Sequence, residues 1–147
     1  MYLCTTTKRF LLAGLFLWPM SFSAVAQDAK PQFTLDLNAA AETEAGACRF
    51  TYVASNQSDT ALDRAAYQLA VFDAEGVVTR LLVLDLGAMV GGKTKILQFE
   101  LAQTPCAAIS RIVLNDVVAC TAAGGATSDV CMTGLVATSR TAIQFGL

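Results

Sequence analysis

The stretch AYQLAVFDAEGVVTRLLVLDL, residues 66–86, decides the fold. Side chains alternate between the two faces of an extended strand, so Tyr67, Leu69 and Val71 share one apolar face. A short polar loop, Asp-Ala-Glu-Gly, separates this arm from a second arm that is rich in Val and Leu. The loop ends at Gly76, which can take the positive φ that a tight reversal needs. Two apolar arms joined by turn residues predict a β-hairpin.

Three other segments alternate in the same way. Residues 33–37, 48–56 and 95–101 place most of their apolar side chains at every second position, with mainly polar side chains between them. This period of two is typical of strands with one face against a core and one face in water. In the segment 48–56 the inward face carries Cys48, so a disulfide from this cysteine would be buried.

The last third of the chain predicts further strands. Residues 109–120 are nearly all apolar, and we interpret them as a central strand buried on both faces, with a bulge at Asn115 and Asp116. The segments 135–137 and 141–145 predict a last strand or a pair of strands. About seven short strands, polar turns and no long amphipathic helix favour an all-β fold. We predict an immunoglobulin-like antiparallel β-sandwich.

The N-terminus has the pattern of a secretory signal. Lys8 and Arg9 precede an apolar run, residues 10–18, that is too short to span a bilayer comfortably, and an Ala-Val-Ala ending follows. We therefore predict a cleavable signal helix over 1–26 and a single domain over 27–147. An uncleaved anchor is the alternative. After cleavage we expect no stable membrane span and a periplasmic or secreted protein.

Charge and composition exclude several classes of function. The chain has 10 basic and 12 acidic residues, and removal of Lys8 and Arg9 leaves 8 basic and 12 acidic residues, a net charge of −4. No basic cluster remains, which argues against a nucleic-acid partner. The sequence contains no histidine, so a Ser–His–Asp or Cys–His catalytic arrangement cannot form. We predict a non-enzymatic protein with no catalytic, cofactor-binding or metal-binding residues.

The cysteines predict disulfides. Loss of Cys4 with the signal leaves Cys48, Cys106, Cys120 and Cys131, and four cysteines in an exported chain indicate two bridges. Three pairings exist. We favour Cys120–Cys131, which a Gly-rich loop joins, and therefore Cys48–Cys106; loop closure would contribute about 3 and about 4 kcal/mol respectively. A metal site or redox pair is the alternative, but the sequence has neither a C-x-x-C motif nor a histidine.

One formal motif points to nucleotide chemistry. Residues 87–94, GAMVGGKT, fit the G-x-x-x-x-G-K-[ST] pattern, in which Lys93 would contact a terminal phosphate and Thr94 a magnesium ion. That motif must open a helix, whereas residues 95–101 alternate with a period of two. We therefore interpret the motif as a hairpin turn with solvated lysines.

A few polar side chains remain as site candidates. Asp73 and Glu75 could form a carboxylate pair or a calcium site, although an Asp in a hairpin tip usually binds its own backbone. Asn115 and Asp116 interrupt the most apolar strand, either as a bulge or as a polar contact on a binding surface. Arg111, on the same strand, completes the predicted interaction surface.

Part of the sequence resembles a known family. The stretch YVASNQSDTALDRAAYQLAVFDAEGVVTR, with the Gly-Lys-Thr turn and KILQFEL that follow, resembles FxLYD-type immunoglobulin-like domains of bacterial envelope proteins. The matching positions are Asn56, Phe72, Asp73, Gly76, Gly92, Lys93, Thr94 and Phe99. The whole chain looks like small periplasmic proteins that combine such a domain with two disulfides. The resemblance implies a fold and an envelope location, and it carries no catalytic residues.

These observations lead to three hypotheses about function. The first is an interaction module that binds another envelope protein, because partner strands can add to free sheet edges. The second is a small-molecule or ion-binding protein that uses one end of the sandwich. The third, a hydrolase or thiol enzyme, would need an unpaired reactive cysteine.

Overall fold

The structure, a computed structural model, describes residues 31–147. The predicted signal peptide over 1–26 therefore lies outside the described residues. Between 31 and 147, no helix is long and apolar enough to cross a membrane. The described chain forms eight strands: β1 (Phe33–Glu42), β2 (Cys48–Asn56), β3 (Leu62–Phe72), β4 (Val78–Met89), β5 (Lys93–Leu101), β6 (Arg111–Ala122), β7 (Leu135–Ser139) and β8 (Gln144–Gly146). A single 3-10 turn, Cys106–Ala108, precedes β6.

Two four-stranded sheets form a sandwich, which confirms the predicted fold class. The strand orders are β5-β2-β1-β7 in sheet A and β4-β3-β6-β8 in sheet B. The segment after residue 134 divides into two strands that join different sheets, which gives eight strands where about seven were predicted. These two strands pair in parallel, β7 with β1 and β8 with β6, whereas all other pairs are antiparallel as predicted.

The β3–β4 hairpin is confirmed, and its tip shows the predicted turn chemistry. The carboxylate of Asp73 accepts the backbone N–H groups of Glu75 at 3.1 Å and Val77 at 2.8 Å. Gly76 has a φ of +80°, the left-handed conformation that glycine favours. The predicted inward side chains of β3, with Tyr67 the largest, are buried.

The core lies between the two sheets and is built from alternate residues of the long strands. Its largest fully buried apolar side chains are Phe33, Leu35, Leu37, Phe50, Tyr52, Tyr67, Leu69, Val71, Leu86, Met89 and Ile112. Aromatic rings connect the sheets, with 6.1 Å between the centroids of Phe33 and Tyr67 and 5.6 Å between those of Tyr52 and Phe145. Such tilted contacts add to the energy of apolar burial.

Strand β6 differs in one respect from its prediction. Residues 109–120 were expected to be buried on both faces, but Val118 and Asp116 are exposed. The prediction was wrong because, within the described residues, no further layer covers the outer face of sheet B. The predicted bulge is confirmed, since consecutive β3 residues pair with Leu114 and Asp116 and leave Asn115 unopposed.

The turn between β4 and β5 also differs from its prediction. Residues 87–94 do not form a hairpin, because β4 and β5 belong to different sheets. A Cβ on Gly91 would lie 2.9 Å from the carbonyl oxygen of Ser58, and the N–H of Gly92 donates to the same oxygen at 3.1 Å. The turn is thus fixed against the β2–β3 connection while the chain crosses between sheets. Extended structure begins at Lys93, which excludes the helix of a phosphate-binding loop.

Two disulfides are present, with the pairing that the sequence favoured. Cys48–Cys106 links β2 to the 3-10 turn, and Cys120–Cys131 links β6 to the turn before β7. Disulfides are rare in the reducing cytosol, so both bridges fit an extracytoplasmic protein.

Candidate interaction site on strand β6

The three residues of the predicted interaction surface all lie on β6 but do not form one cluster. Arg111 opens the strand, with its guanidinium carbon 4.2 Å from the centre of the Phe72 ring. This cation–π contact holds the arginine at the hairpin end of the sheet. Arg111 forms no salt bridge to a carboxylate among the described residues.

Asn115 and Asp116 lie in the middle of the strand and make local contacts. The amide of Asn115 donates to the side-chain oxygen of Gln68 at 2.6 Å, across the β3–β6 pair. The carboxylate of Asp116 accepts the N–H of Val117 at 2.8 Å. Both side chains are exposed on the outer face. The structure therefore places them beside the bulge that they form, with Asp116 directed to solvent.

The side of β6 away from β3 has an incomplete set of neighbours. Strand β8 pairs only with residues 111–113, and an isolated bridge joins Thr121 to Thr127 at the other end. Among residues 31–147, no strand pairs with residues 114–119 on this side. The main chain of these residues therefore has no strand partner on this side, and unpaired main-chain groups at a sheet edge are a template for another chain.

A groove of about 450 Å³ runs beside the second half of this open segment. One wall is formed by residues 117–121 of β6, and the other by residues 127–132 of the following turn. Two apolar side chains line it although much of their surface is in water: Val118 is 48% exposed and Met132 is 55% exposed. We call this feature, residues 117–121 with residues 127–132, the β6 groove.

The outer wall of the β6 groove is held rigidly. The Cys120–Cys131 disulfide joins it to β6, and the N–H of Cys131 donates to the sulfur of Cys120 at 3.3 Å. The buried hydroxyl of Tyr67 donates to the carbonyl of Cys131 at 2.9 Å. Burial raises the pKa of Tyr67, so the hydroxyl, which is protonated at neutral pH in any case, stays a donor at alkaline pH as well. The carbonyl of Asp129 accepts the N–H of Met132 at 2.9 Å, which closes the turn.

The carboxyl groups with lowered pKa values lie outside the groove. Burial raises the pKa of Asp36, but hydrogen bonds from Thr138 and Asn38, with the charge of a nearby arginine, bring it below its ordinary value. Hydrogen bonds from Arg64, at 3.0 and 2.7 Å, are the main cause of the lowered pKa of Asp85. Both are cross-strand contacts that hold neighbouring strands together.

In the part of the chain that the structure describes, the remaining acidic side chains and cysteines are dispersed or already paired. No cluster of three or more His, Cys, Asp or Glu side chains suited to a metal ion occurs in the described range. The four cysteines from Cys48 onward are all disulfide-bonded. At the hairpin tip, one oxygen of Asp73 is occupied by two turn N–H groups.

The sequence predicted the polar pair on β6 but missed the groove. Val118 was interpreted as a core residue, and Met132 was not considered. A signal existed in the pattern, because the bulge breaks the alternation of the strand and changes which side chains face outward. The absence of a strand beside this part of β6 cannot be predicted from β6 itself, because it depends on the path of the chain after β6.

Comparisons with known proteins give a fold but no family. No family model matches this sequence, and no curated protein matches it. One solved structure that resembles it is described as the structural characterization of IrmA from Escherichia coli. The TM-score is 0.53 at 9% sequence identity, and the match covers 71% of this chain and 89% of that chain. At this identity the likeness bears on the fold alone and supports the β-sandwich. The resemblance to FxLYD-type domains stays a prediction.

Proposed function

We propose that this protein is a non-enzymatic interaction module of the cell envelope that binds an extended segment of a partner protein along β6. The observation that carries the proposal is the open position beside residues 114–119, between β8 and the Thr121–Thr127 bridge. A partner strand placed there would continue sheet B through main-chain hydrogen bonds.

The side chains of the groove define what such a segment would contain. Val118 and Met132 present apolar surface, so the segment needs apolar side chains at alternate positions on that face. Asp116 is exposed beside the groove, so a basic residue opposite it in the segment would add a charge contact. Specificity would come from this alternation, and affinity mainly from the backbone.

The disulfide in the outer wall supports binding. Association is weakened when a loop must be ordered as the partner arrives. Here the wall is tied to β6 by Cys120–Cys131 and to β3 by the hydroxyl of Tyr67. The groove is therefore formed before any partner binds.

The predicted signal peptide and the two disulfides support a periplasmic or secreted location. An exported protein meets other envelope proteins, including chains that are still extended after translocation. This location belongs to the proposal together with the partner.

The test selects peptides on the folded protein and maps where they bind. We would produce the full chain in an exporting host, select displayed extended peptides on it, and measure the Kd of the enriched peptides by fluorescence anisotropy. Enriched peptides should alternate apolar and polar residues, and should bind V118D and M132D at least about 10-fold more weakly, since each loses an apolar contact.

The matched control is V136D, on an exposed valine of β7 in sheet A. This variant should bind the selected peptides like the parent protein. Amide chemical-shift changes should centre on residues 114–120. Peptides that bind V118D and M132D normally, or a selection that enriches none, would overturn the proposal.

A further inference from the structure

Strands β4 and β5 follow each other in the chain and both lie at sheet edges, yet the two edges differ in chemistry. Strand β5 carries Lys93, Lys95 and a Glu100 carboxylate that pairs with Arg49 at 2.6 Å. Strand β4 instead exposes apolar side chains, with Leu81 61% exposed. Charged residues, lysine above all, are the usual means by which a sheet edge resists pairing with another chain. Lys93 and Glu100 give the β5 edge of sheet A this protection.

The last part of the β4 edge is contacted by a lysine from the other sheet. The ammonium group of Lys95 donates to the carbonyl oxygen of Leu86 at 2.6 Å and lies 3.3 Å from that of Ala88. These contacts occupy main-chain acceptors in the last part of β4. From Val78 to Asp85, no other strand of the described residues lies beside β4 on the side away from β3. We call this part of the strand the open half of β4.

The open half of β4 is regular and has little protection. From Arg80 to Asp85 each residue pairs in unbroken register with β3, so this part of the edge has no bulge. It contains no proline or glycine, and the sequence from Leu81 to Leu84 has no charge. A regular apolar edge of this kind is a template for a further strand.

The pattern of the open half is complementary to itself. In an antiparallel pair, outward side chains of one strand must face outward side chains of the other, which permits only registers with an even offset. With a two-fold axis at Leu82, Leu81 of one copy opposes Val83 of the second copy, and the same contact repeats by symmetry. With the axis one residue further on, Leu81 would oppose Asp85. The first register therefore joins four exposed apolar side chains.

Charge is also compatible with this register. Arg80 opposes the buried-face residue Leu84 of the second copy, and Asp85 opposes Thr79, so no like charges lie directly opposite each other. On β5, Ile96 is the one exposed large apolar side chain, so no two-fold register of that strand joins four such side chains.

We propose that two copies of this protein associate through their β4 strands, with a two-fold axis at Leu82, to form one continuous eight-stranded sheet from two B sheets. The interface is isologous, as in most homodimers. Strands β4 and β6 lie on opposite sides of β3, so dimerisation leaves the β6 groove open. The two proposals can therefore fail independently.

The test measures mass in solution for the full chain produced in an exporting host. Sedimentation equilibrium up to about 0.1 mM should show a monomer–dimer equilibrium. L81K and V83K should weaken dimerisation at least about 10-fold, because each places a cation against an apolar side chain at the edge. I96K is the matched control: Ile96 is 68% exposed on β5, and its replacement should leave the equilibrium unchanged.

Cysteine pairing tests the register directly. Directly opposed residues in antiparallel strands have Cα atoms about 4.5–5.5 Å apart, within the range of a disulfide. Mixing L81C with V83C under mild oxidation should therefore give more covalent dimer than either variant alone. A monomer at every concentration, equal loss of dimer in I96K and L81K, or equal cross-linking in mixed and single samples would overturn the proposal. Circular dichroism spectra that match the parent protein establish that the variants are folded.

Discussion

The two disulfides close very different parts of the chain. Cys48–Cys106 spans 58 residues and joins the fully buried end of β2 to the turn that enters β6. Cys120–Cys131 spans 11 residues and joins β6 to the wall of the β6 groove. The first bridge constrains the path of the chain between the two sheets, whereas the second fixes a local surface. Covalent links of the same kind can thus stabilise a fold or shape a site.

Removal of the first bridge should have the largest effect. We expect C48S/C106S to lose about 4 kcal/mol of unfolding free energy, because its long loop regains freedom in the unfolded chain. Urea unfolding followed by circular dichroism measures this loss. The β6 groove should keep its peptide affinity under conditions where the variant is still folded. Unchanged stability would show that this bridge adds nothing to the sandwich.

Removal of the second bridge should lower the free energy of unfolding less than removal of the first, but it should weaken peptide binding more. We expect C120S/C131S to lose about 3 kcal/mol, because its loop is shorter. The turn over residues 128–134 should lose protection from hydrogen exchange, and selected peptides should bind more weakly because the wall must then be ordered on binding. A peptide affinity equal to that of the parent protein would contradict a role of this bridge in the groove.

Removing the hydroxyl of Tyr67 perturbs the outer wall of the β6 groove while the Cys120–Cys131 disulfide stays intact. Y67F removes the hydrogen bond to the buried carbonyl of Cys131 and should cost about 1–2 kcal/mol, since that acceptor loses its partner. Thermal and urea unfolding measure the loss. The control is Y52F, because within residues 31–147 the hydroxyl of Tyr52 has no hydrogen-bond partner and burial alone raises its pKa. Equal losses in the two variants would contradict the importance of the Cys131 contact.

The smallest expected effect is at Asp36 of β1, whose carboxylate accepts a hydrogen bond from Thr138 of β7. The pKa of Asp36 is lowered in the folded protein, so its stabilisation is present above its ordinary pKa and is lost as pH falls through the folded value. D36N should therefore cost about 1 kcal/mol at pH 7 and progressively less below about pH 4. Urea titrations at both pH values measure the difference. A loss that does not change with pH would exclude the carboxylate charge as its cause.

Much of the sandwich could be predicted because several of its strands alternate between apolar and polar side chains. In β2, every second residue from Cys48 to Ala54 is buried, as the pattern of apolar positions indicated. The tip of the β3–β4 hairpin was predictable for a local reason, because the side chain of Asp73 and the backbone of Gly76 determine the turn. Local chemistry and a period of two are properties of the sequence alone.

The rest depends on contacts between distant segments. The turn at Gly91 has the composition of a hairpin, but it packs against Ser58 as the chain crosses to the other sheet, a contact between segments far apart in sequence. The parallel pairing of β7 with β1 and of β8 with β6 cannot be predicted from the short sequences of β7 and β8. For the candidate site, Asn115 and Asp116 could be singled out because they interrupt an apolar run. The groove beside them exists because no strand of residues 31–147 pairs with this part of β6. That can be seen only when the positions of all the strands are known.

The two parallel strands at the C-terminal end determine when the sandwich can close. Phe33 pairs with Leu135, and Arg111 at the start of β6 pairs with Gln144. Contacts that join such distant positions make β proteins fold slowly. In the export that we propose, the final segment of the chain arrives last, so neither sheet is complete until it does. During that interval the edges of β1 and β6 are open to other chains, and a chaperone that binds them would raise the yield of native protein.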